Sequence, residues 1–274
     1  MSDYTQMKID DMEAVWSGGF KRARGSLGVS AFGLNVSDLP PGYDRIPPHN
    51  HSFDGQEEVY FALAGSGWIV VAGERIAIDA DTFIRVGPEC HRSQVAGLQG
   101  LRLLIVGGTP GQPYKASGYH DAGAPEPVIK DLPGVIAARE AGEAGETGDN
   151  DVTVKKISEM EAMSGFEGVS LTPLRRELGV TAFGLNLLRI DPVENPQYPN
   201  HDHTDSGQEE VYVPIAGSAT IKLDGQEERA VTVGEMIRVA PETTREWLPG
   251  PDGVTLLAIG CAPGKQYEPP ARPS

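Results

Sequence analysis

Cysteine is nearly absent: Cys90 and Cys261 are the two in 274 residues. They allow at most one bridge, which excludes a disulfide scaffold and suits a reducing compartment. Basic residues are also scarce, with 23 Lys and Arg against 39 Asp and Glu for a net charge of −16. No Lys/Arg cluster runs against that average. Such a chain repels phosphate backbones and anionic lipid, so neither nucleic acid nor membrane is an expected partner. Apolar runs of the ~18–20 residues that span a bilayer are missing. The first residues carry Asp3, Asp10, Asp11 and Glu13 where a secretory leader has a basic start and an apolar stretch, so a cytoplasmic location is expected. Sustained helical periodicity is lacking too. Short helices are expected around Ile9 to Trp16, Ile157 to Met163 and Val135 to Ala141.

What the chain does contain is itself, twice. Leu27-Gly-Val-Ser-Ala-Phe-Gly-Leu-Asn35 returns as Leu178-Gly-Val-Thr-Ala-Phe-Gly-Leu-Asn186. His49-Asn-His51 returns as His201-Asp-His203, and Gly55-Gln-Glu-Glu-Val-Tyr60 as Gly207-Gln-Glu-Glu-Val-Tyr212. The lead-ins Lys8 to Ala14 and Lys156 to Ala162 are parallel, and the order is kept throughout. Two copies of one domain follow. At roughly 150 residues per domain the length accommodates both. The expected organisation is 1–117 for the first copy with its lead-in, 118–152 for a linker, and 153–274 for the second copy with a C-terminal tail. The stretch Ala137 to Asp151 is Ala, Gly and acid, a composition too poor in large apolar groups to offset its ordering entropy, and is expected to be mobile.

Within each copy, short β-rich runs such as Val59-Tyr-Phe-Ala-Leu63 and Leu101-Arg-Leu-Leu-Ile-Val106 alternate with Gly, Pro and Asp turn signals. Asp224-Gly225 is a strong hairpin signal, with Ala72-Gly73 in its place in the first copy. The expected fold class is all-β: two tandem jelly-roll barrels with a few short helices, an architecture that leaves few strand edges exposed.

Four of the six histidines lie in the two His-x-His pairs. Residues two apart on a strand share a face, so His49 with His51, and His201 with His203, each present two imidazoles side by side. A carboxylate added to two imidazoles makes a three-ligand site for a first-row metal, with positions left open. Glu57-Glu58 and Glu209-Glu210 supply it, and strand alternation lets only one of each pair face inward. Gln56 and Gln208 share that face as additional ligands or substrate donors. Tyr60 and Tyr212, two residues past Glu58 and Glu210, are expected to offer a phenol to substrate.

His-x-His followed by Glu58 and then Gly65, and again by Glu210 and then Gly217, resembles the first motif of the cupins, so the chain as a whole resembles a bicupin. That resemblance implies two metal-binding β-barrels; counted back from the glycines the ligand is Glu58 or Glu210, counted forward from the histidines it is Gln56 or Gln208, and an anionic oxygen favours the glutamates. In the second cupin motif the two copies read Val86-Gly-Pro-Glu-Cys-His-Arg92 and Val239-Ala-Pro-Glu-Thr-Thr-Arg245. Two registers are open. In one, Arg92 and Arg245 take the place of the family's fourth ligand, turning a planar fork of donors toward an anionic substrate. In the other, His91 completes a three-histidine, one-glutamate set in the first copy alone. Neighbours on a strand cannot both face inward.

The function that the resemblance and the residues imply is a mononuclear-metal enzyme holding Fe, Mn, Ni or Zn, with dioxygenase chemistry on a small anionic or enolisable metabolite favoured. A metal-dependent decarboxylase or aminohydrolase and a non-catalytic small-molecule binding barrel are the alternatives. The chain is expected to be a monomer or a homodimer.

Overall fold

The structure is a computed structural model that describes residues 3–146, 151–193 and 198–269. Sixteen strands carry it. They are β1 (Tyr4–Lys8), β2 (Ala14–Val15), β3 (Phe20–Lys21), β4 (Gly33–Leu39), β5 (Glu57–Val71), β6 (Glu74–Ile78), β7 (Thr82–Val86) and β8 (Arg92–Gly108), then β9 (Val152–Lys156), β10 (Met163–Phe166), β11 (Val169–Thr172), β12 (Gly184–Ile190), β13 (Glu209–Leu223), β14 (Glu227–Thr232), β15 (Glu235–Val239) and β16 (Arg245–Cys261). Three helices accompany them: α1 (Ala23–Leu27), α2 (Pro133–Glu146) and α3 (Leu174–Leu178). Among the described residues no helix is long and apolar enough to cross a membrane.

The strands form two eight-stranded antiparallel sheets. One runs β2-β3-β4-β8-β5-β7-β9 with β6 on β5; the other runs β1-β15-β13-β16-β12-β11-β10 with β14 on β13. The β-rich class is as expected, and each pairing path is open at both ends, so neither sheet closes on itself into a barrel. The long strands β5 and β13 bend at the same place, with register shifts at Ala62/Ala64 and Gly65/Gly67 and at Pro214/Ala216 and Gly217/Ala219. Gly65 has φ +72° there, and a Cβ on it would lie 2.2 Å from the Gly100 carbonyl oxygen; Gly217 stands in the same relation to Gly253 at 2.1 Å. Only glycine fits both the dihedral and the approach.

The two copies differ at the next turn. Ala72-Gly73, both with positive φ, join β5 to β6 as a two-residue loop between Val71 and Glu74. In the second half Asp224-Gly225-Gln226 spans the gap between Leu223 and Glu227, so this turn carries one of the insertions that shift the repeat.

The lead-ins do not stay with their own copies. β1 pairs along β15 of the second sheet, Tyr4 opposite Val239, while β9 pairs along β7 of the first, Thr82 opposite Lys156. The expected boundaries therefore cut through a reciprocal strand exchange. The core between the halves is common property. Phe32, Leu34, Phe61 and Phe83 of the first half pack in one buried cluster with Phe183, Leu185, Val211 and Met236 of the second. The expected lead-in helices shrink to single 3-10 turns at Ile9–Asp11 and Ile157–Glu159.

The stretch expected to be a linker is largely folded. Trp16 Nε1 donates to the Pro127 carbonyl at 2.9 Å, Arg22 to the carbonyls of Ala124 and Pro125 at 2.6 and 3.0 Å, and Arg24 pairs with Asp121. Ile129 and Leu132 of this stretch are half-buried and line the first cavity. Helix α2 covers much of the run expected to be mobile, and residues 147–150 of that run lie outside the described residues.

Candidate metal centres

Each centre is assembled from a loop and a strand. His49 and His201 are tied into the sheet by backbone hydrogen bonds in both directions with Arg92 and Arg245, respectively. This brings the His-x-His segments against the starts of β5 and β13, where Glu58 and Glu210 point inward. Among the described residues two groups result, His49 with His51 and Glu58, and His201 with His203 and Glu210, the ligand atoms of each lying within 4.8 Å of one another.

The imidazoles are oriented by what holds their Nδ1 atoms. His49 Nδ1 lies 3.3 Å from the Pro47 carbonyl, His201 Nδ1 3.0 Å from that of Pro199, and His51 Nδ1 3.0 Å from Asp54 Oδ1. An acceptor on Nδ1 fixes the tautomer that leaves Nε2 as a lone pair, the usual outer-shell arrangement of a ligating histidine. His203 Nε2 is buried with no hydrogen-bond partner, although Glu210 Oε2 is 2.9 Å away. A nitrogen and an oxygen so close yet not aligned as donor and acceptor suit a third body between them. Two neutral nitrogens and a carboxylate per site fit a borderline divalent metal.

Behind each carboxylate stand a tyrosine and an arginine. Glu58 turns Oε1 toward His51 at 3.3 Å and Oε2 toward Tyr60 Oη at 2.5 Å and Arg92 Nε at 3.2 Å. In the second half Glu210 Oε2 meets the Tyr212 hydroxyl and lies 3.4 Å from Arg245 Nη2. Arg92 Nη1 also donates to the Cys90 carbonyl at 2.8 Å and Arg245 Nη1 to that of Thr243 at 3.0 Å. These four side chains are at most 1% exposed, and the cavities are lined without them. They brace the carboxylates from behind. Arg92 and Arg245 face the carboxylates, and His91, buried beside Cys90, is not in the candidate metal-ligand group found among the described residues. Strand alternation is the reason. Cys90 and Cys261 are buried and not bridged to one another.

The glutamines diverge. Gln208 Nε2 lies 3.4 Å from Glu210 Oε1 and lines the second cavity, whereas Gln56 turns its amide to Asp54 at 2.5 Å.

Burial opposes charge on His49, His51, Glu58 and Glu210, and local charge overrides it on the last three. His49 is pushed down to about 4 by its burial. His51, equally deprived of water, is nonetheless held up at about 8 by the Glu58 carboxylate and Asp54. Burial would lift Glu210, but His203 and Arg245 hold it at about 2; Glu58 is likewise held well below the carboxylate range by His51 and Arg92. Burial and the adjacent glutamates keep Tyr60 and Tyr212 protonated, well above the ordinary phenol range.

The two cavities differ in size and wall. The first encloses about 120 Å³ and is lined by Trp16, Phe20, Ile46, Phe53 and Ile105 beside the metal group, with Tyr119, His120, Ile129 and Leu132 contributed by the segment after β8. The second is about 830 Å³. Trp68, which stands where the second half has Thr220, lies under Arg75 at 5.3 Å and lines neither cavity. The 118–135 segment does the narrowing instead. His120 and Tyr119 are the site neighbours that the sequence reading missed; the only available signal was that His120 is one of two histidines outside the repeated pairs.

No family model and no curated protein sequence matches the chain. Solved structures do, over nearly its whole length. Protein Ylba from E. coli is similar over 97% of this chain and 93% of that one, at 13% identity and a TM-score of 0.61. A point mutant of Bacillus subtilis oxalate decarboxylase OxdC is similar over 97% of this chain and 78% of that one, at 15% identity and a TM-score of 0.63. A second structure of that decarboxylase, from work on its Mn(II) centres, matches over 98% and 79% at 15% identity with a TM-score of 0.62. The likeness is one of fold.

Proposed function

We propose that this chain is a metal-binding bicupin, each half holding one divalent transition metal through His49, His51 and Glu58 or through His201, His203 and Glu210. The observation that carries the reading is the convergence, twice in one chain, of two imidazoles and a carboxylate. On this reading the protein is a mononuclear-metal enzyme acting on a small anionic or enolisable metabolite, with dioxygenase-type oxidoreductase chemistry favoured. When bound, the metal supplies a Lewis acid or an oxygen-activating centre. The chain's own residues do the rest. Nδ1 acceptors aim the imidazoles, Tyr60 and Tyr212 donate to the carboxylates, and the buried arginines keep those carboxylates ionised. The fold likeness to oxalate decarboxylase supports a metal-dependent decarboxylase as the alternative chemistry. The smaller first cavity, about 120 Å³ and largely apolar, favours a non-catalytic role for that half, leaving turnover to the second.

The test is elemental analysis of the purified protein beside His49→Ala, His201→Ala and His91→Ala. The expected result is about two metals per chain, one lost with each of the first two variants and none with the third. Oxygen uptake with catechols, flavonols or 1,3-diketones then separates an oxygenase from a decarboxylase. Absence of metal after reconstitution with Mn, Fe, Ni or Zn overturns the enzyme reading.

A further inference from the structure

The repeat makes each half a control for the other, and the two arginines of α3 are where the control fails. Without gaps, Arg175 of α3 aligns with Arg24 of α1, and Arg176 with Gly25. Both aligned arginines are anchored alike: Arg24 Nη1 donates to the Val29 carbonyl at 3.1 Å and Arg175 Nη1 to that of Val180 at 3.3 Å. Their remaining nitrogens meet different worlds.

In the first half Arg24 is paired with the Asp121 carboxylate. The segment bearing Asp121 lies directly on Gly25, where a Cβ would fall 2.5 Å from the Ala122 nitrogen and 2.8 Å from the His120 carbonyl oxygen. Only a residue without a side chain lets that segment seat, and its seating puts Tyr119 and His120 into the first cavity. In the second half the Gly25 position is Arg176, exposed, and among the described residues Arg175 has no carboxylate partner. Arg175 lies over the Tyr267 ring at 5.6 Å, and both arginines line the second cavity together with His201, His203 and Glu210.

We propose that Arg175, flanked by Arg176, is the anchor for the carboxylate of a small carboxylic acid ligand in the second cavity, the place that Asp121 fills internally in the first half. A guanidinium held by one nitrogen and stacked on a ring presents its other donors as a planar fork, the geometry that grips a carboxylate at two points. Arg245 cannot take this part, being buried behind Glu210. The ligand is thus oriented with its carboxylate at the α3 end of the cavity and the remainder toward the three metal-ligating side chains. That this ligand is the substrate rests on the metal reading above.

The experiment is calorimetric titration of the full-length, metal-reconstituted protein with malonate, with malonamide and sulfate as controls and metal content determined on the same samples. One malonate per chain is expected, with tenfold or greater weakening in Arg175→Gln, smaller weakening in Arg176→Gln, partial recovery in Arg175→Lys and no measurable malonamide or sulfate binding. On wild-type protein, malonate is expected to protect Arg175 from phenylglyoxal, read by peptide mass, which keeps the test independent of how the variants fold. Unaltered affinity in a folded Arg175→Gln, absence of protection, equal binding of sulfate, or no malonate binding overturns the anchor. Metal present without an Arg175 effect sinks this inference and leaves the metal reading standing. An Arg175 effect in a protein that takes up no metal does the reverse.

Discussion

The Glu57 carboxylate, on the first strand of the first centre, accepts the backbone N–H of Ala182 in the other half at 2.8 Å, and that of Thr181 at 2.7 Å. Its second oxygen meets Arg85 Nε at 2.6 Å. Glu209 repeats the arrangement with Ser30 and Ala31, both at 2.7 Å, and Arg238 at 2.6 Å. In each adjacent glutamate pair one residue faces the metal centre and the other fastens the halves together. Replacing Glu57 by Gln keeps the shape but removes a fully buried charge facing two N–H donors and a guanidinium. A loss of about 2–4 kcal/mol is expected, read as a lowered denaturant midpoint, with Glu209→Gln doing the same.

With a common core and exchanged lead-in strands, the halves are expected to unfold as one unit. Calorimetry should show a single transition whose van't Hoff and calorimetric enthalpies agree. Two separated transitions would contradict the shared core.

Gly65→Ala and Gly217→Ala each push a methyl group into a carbonyl oxygen at a left-handed backbone position. Each is expected to cost at least about 2 kcal/mol. The bend in β5 or β13 sets the reach of Glu58 or Glu210, so metal content should fall in the altered half.

Metal uptake by the first half is expected to weaken as pH falls below about 8. A ligating imidazole must lose its proton, and His51 holds one up to about pH 8. Below that value each unit of pH costs about tenfold in apparent affinity at this site, while above it affinity levels off. Titrating Mn(II) or Zn(II) into His201→Ala between pH 6 and 9 isolates the effect.

His120, wedged into the first cavity, is pushed down to about 4 by burial and the nearby Arg24, against about 6.5 in an unfolded chain. Below pH 6.5 the unfolded chain takes up a proton that the folded one refuses, so stability falls as pH drops toward 4, by roughly 3 kcal/mol in all. A His120→Phe variant should show a shallower acid limb in denaturation midpoints measured between pH 4 and 7.

Much of the site was legible in the residues because a repeat repeats its ligands. His-x-His and the glutamate pair after it form a local pattern repeated in each copy, and alternation along β5 and β13 turns one glutamate of each pair inward. Strand-rich fold class and the Ala72-Gly73 hairpin are local in the same sense. Other features rest on contacts between residues far apart in the chain, which no local pattern encodes. The exchange of β1 and β9 pairs Tyr4 with Val239. The choice between His91 and Arg92 waited on which one bonds back to His49. The order of residues 118–135 depended on Gly25 and Arg24, nearly a hundred positions earlier. Sequence by itself determined the duplicated strands and the ligands each copy carries, since alternation and turn chemistry act over a few residues. Tertiary structure alone decided what the other glutamate of each pair fastens and which cavity is the smaller, because those outcomes depend on what a distant segment places against each side chain.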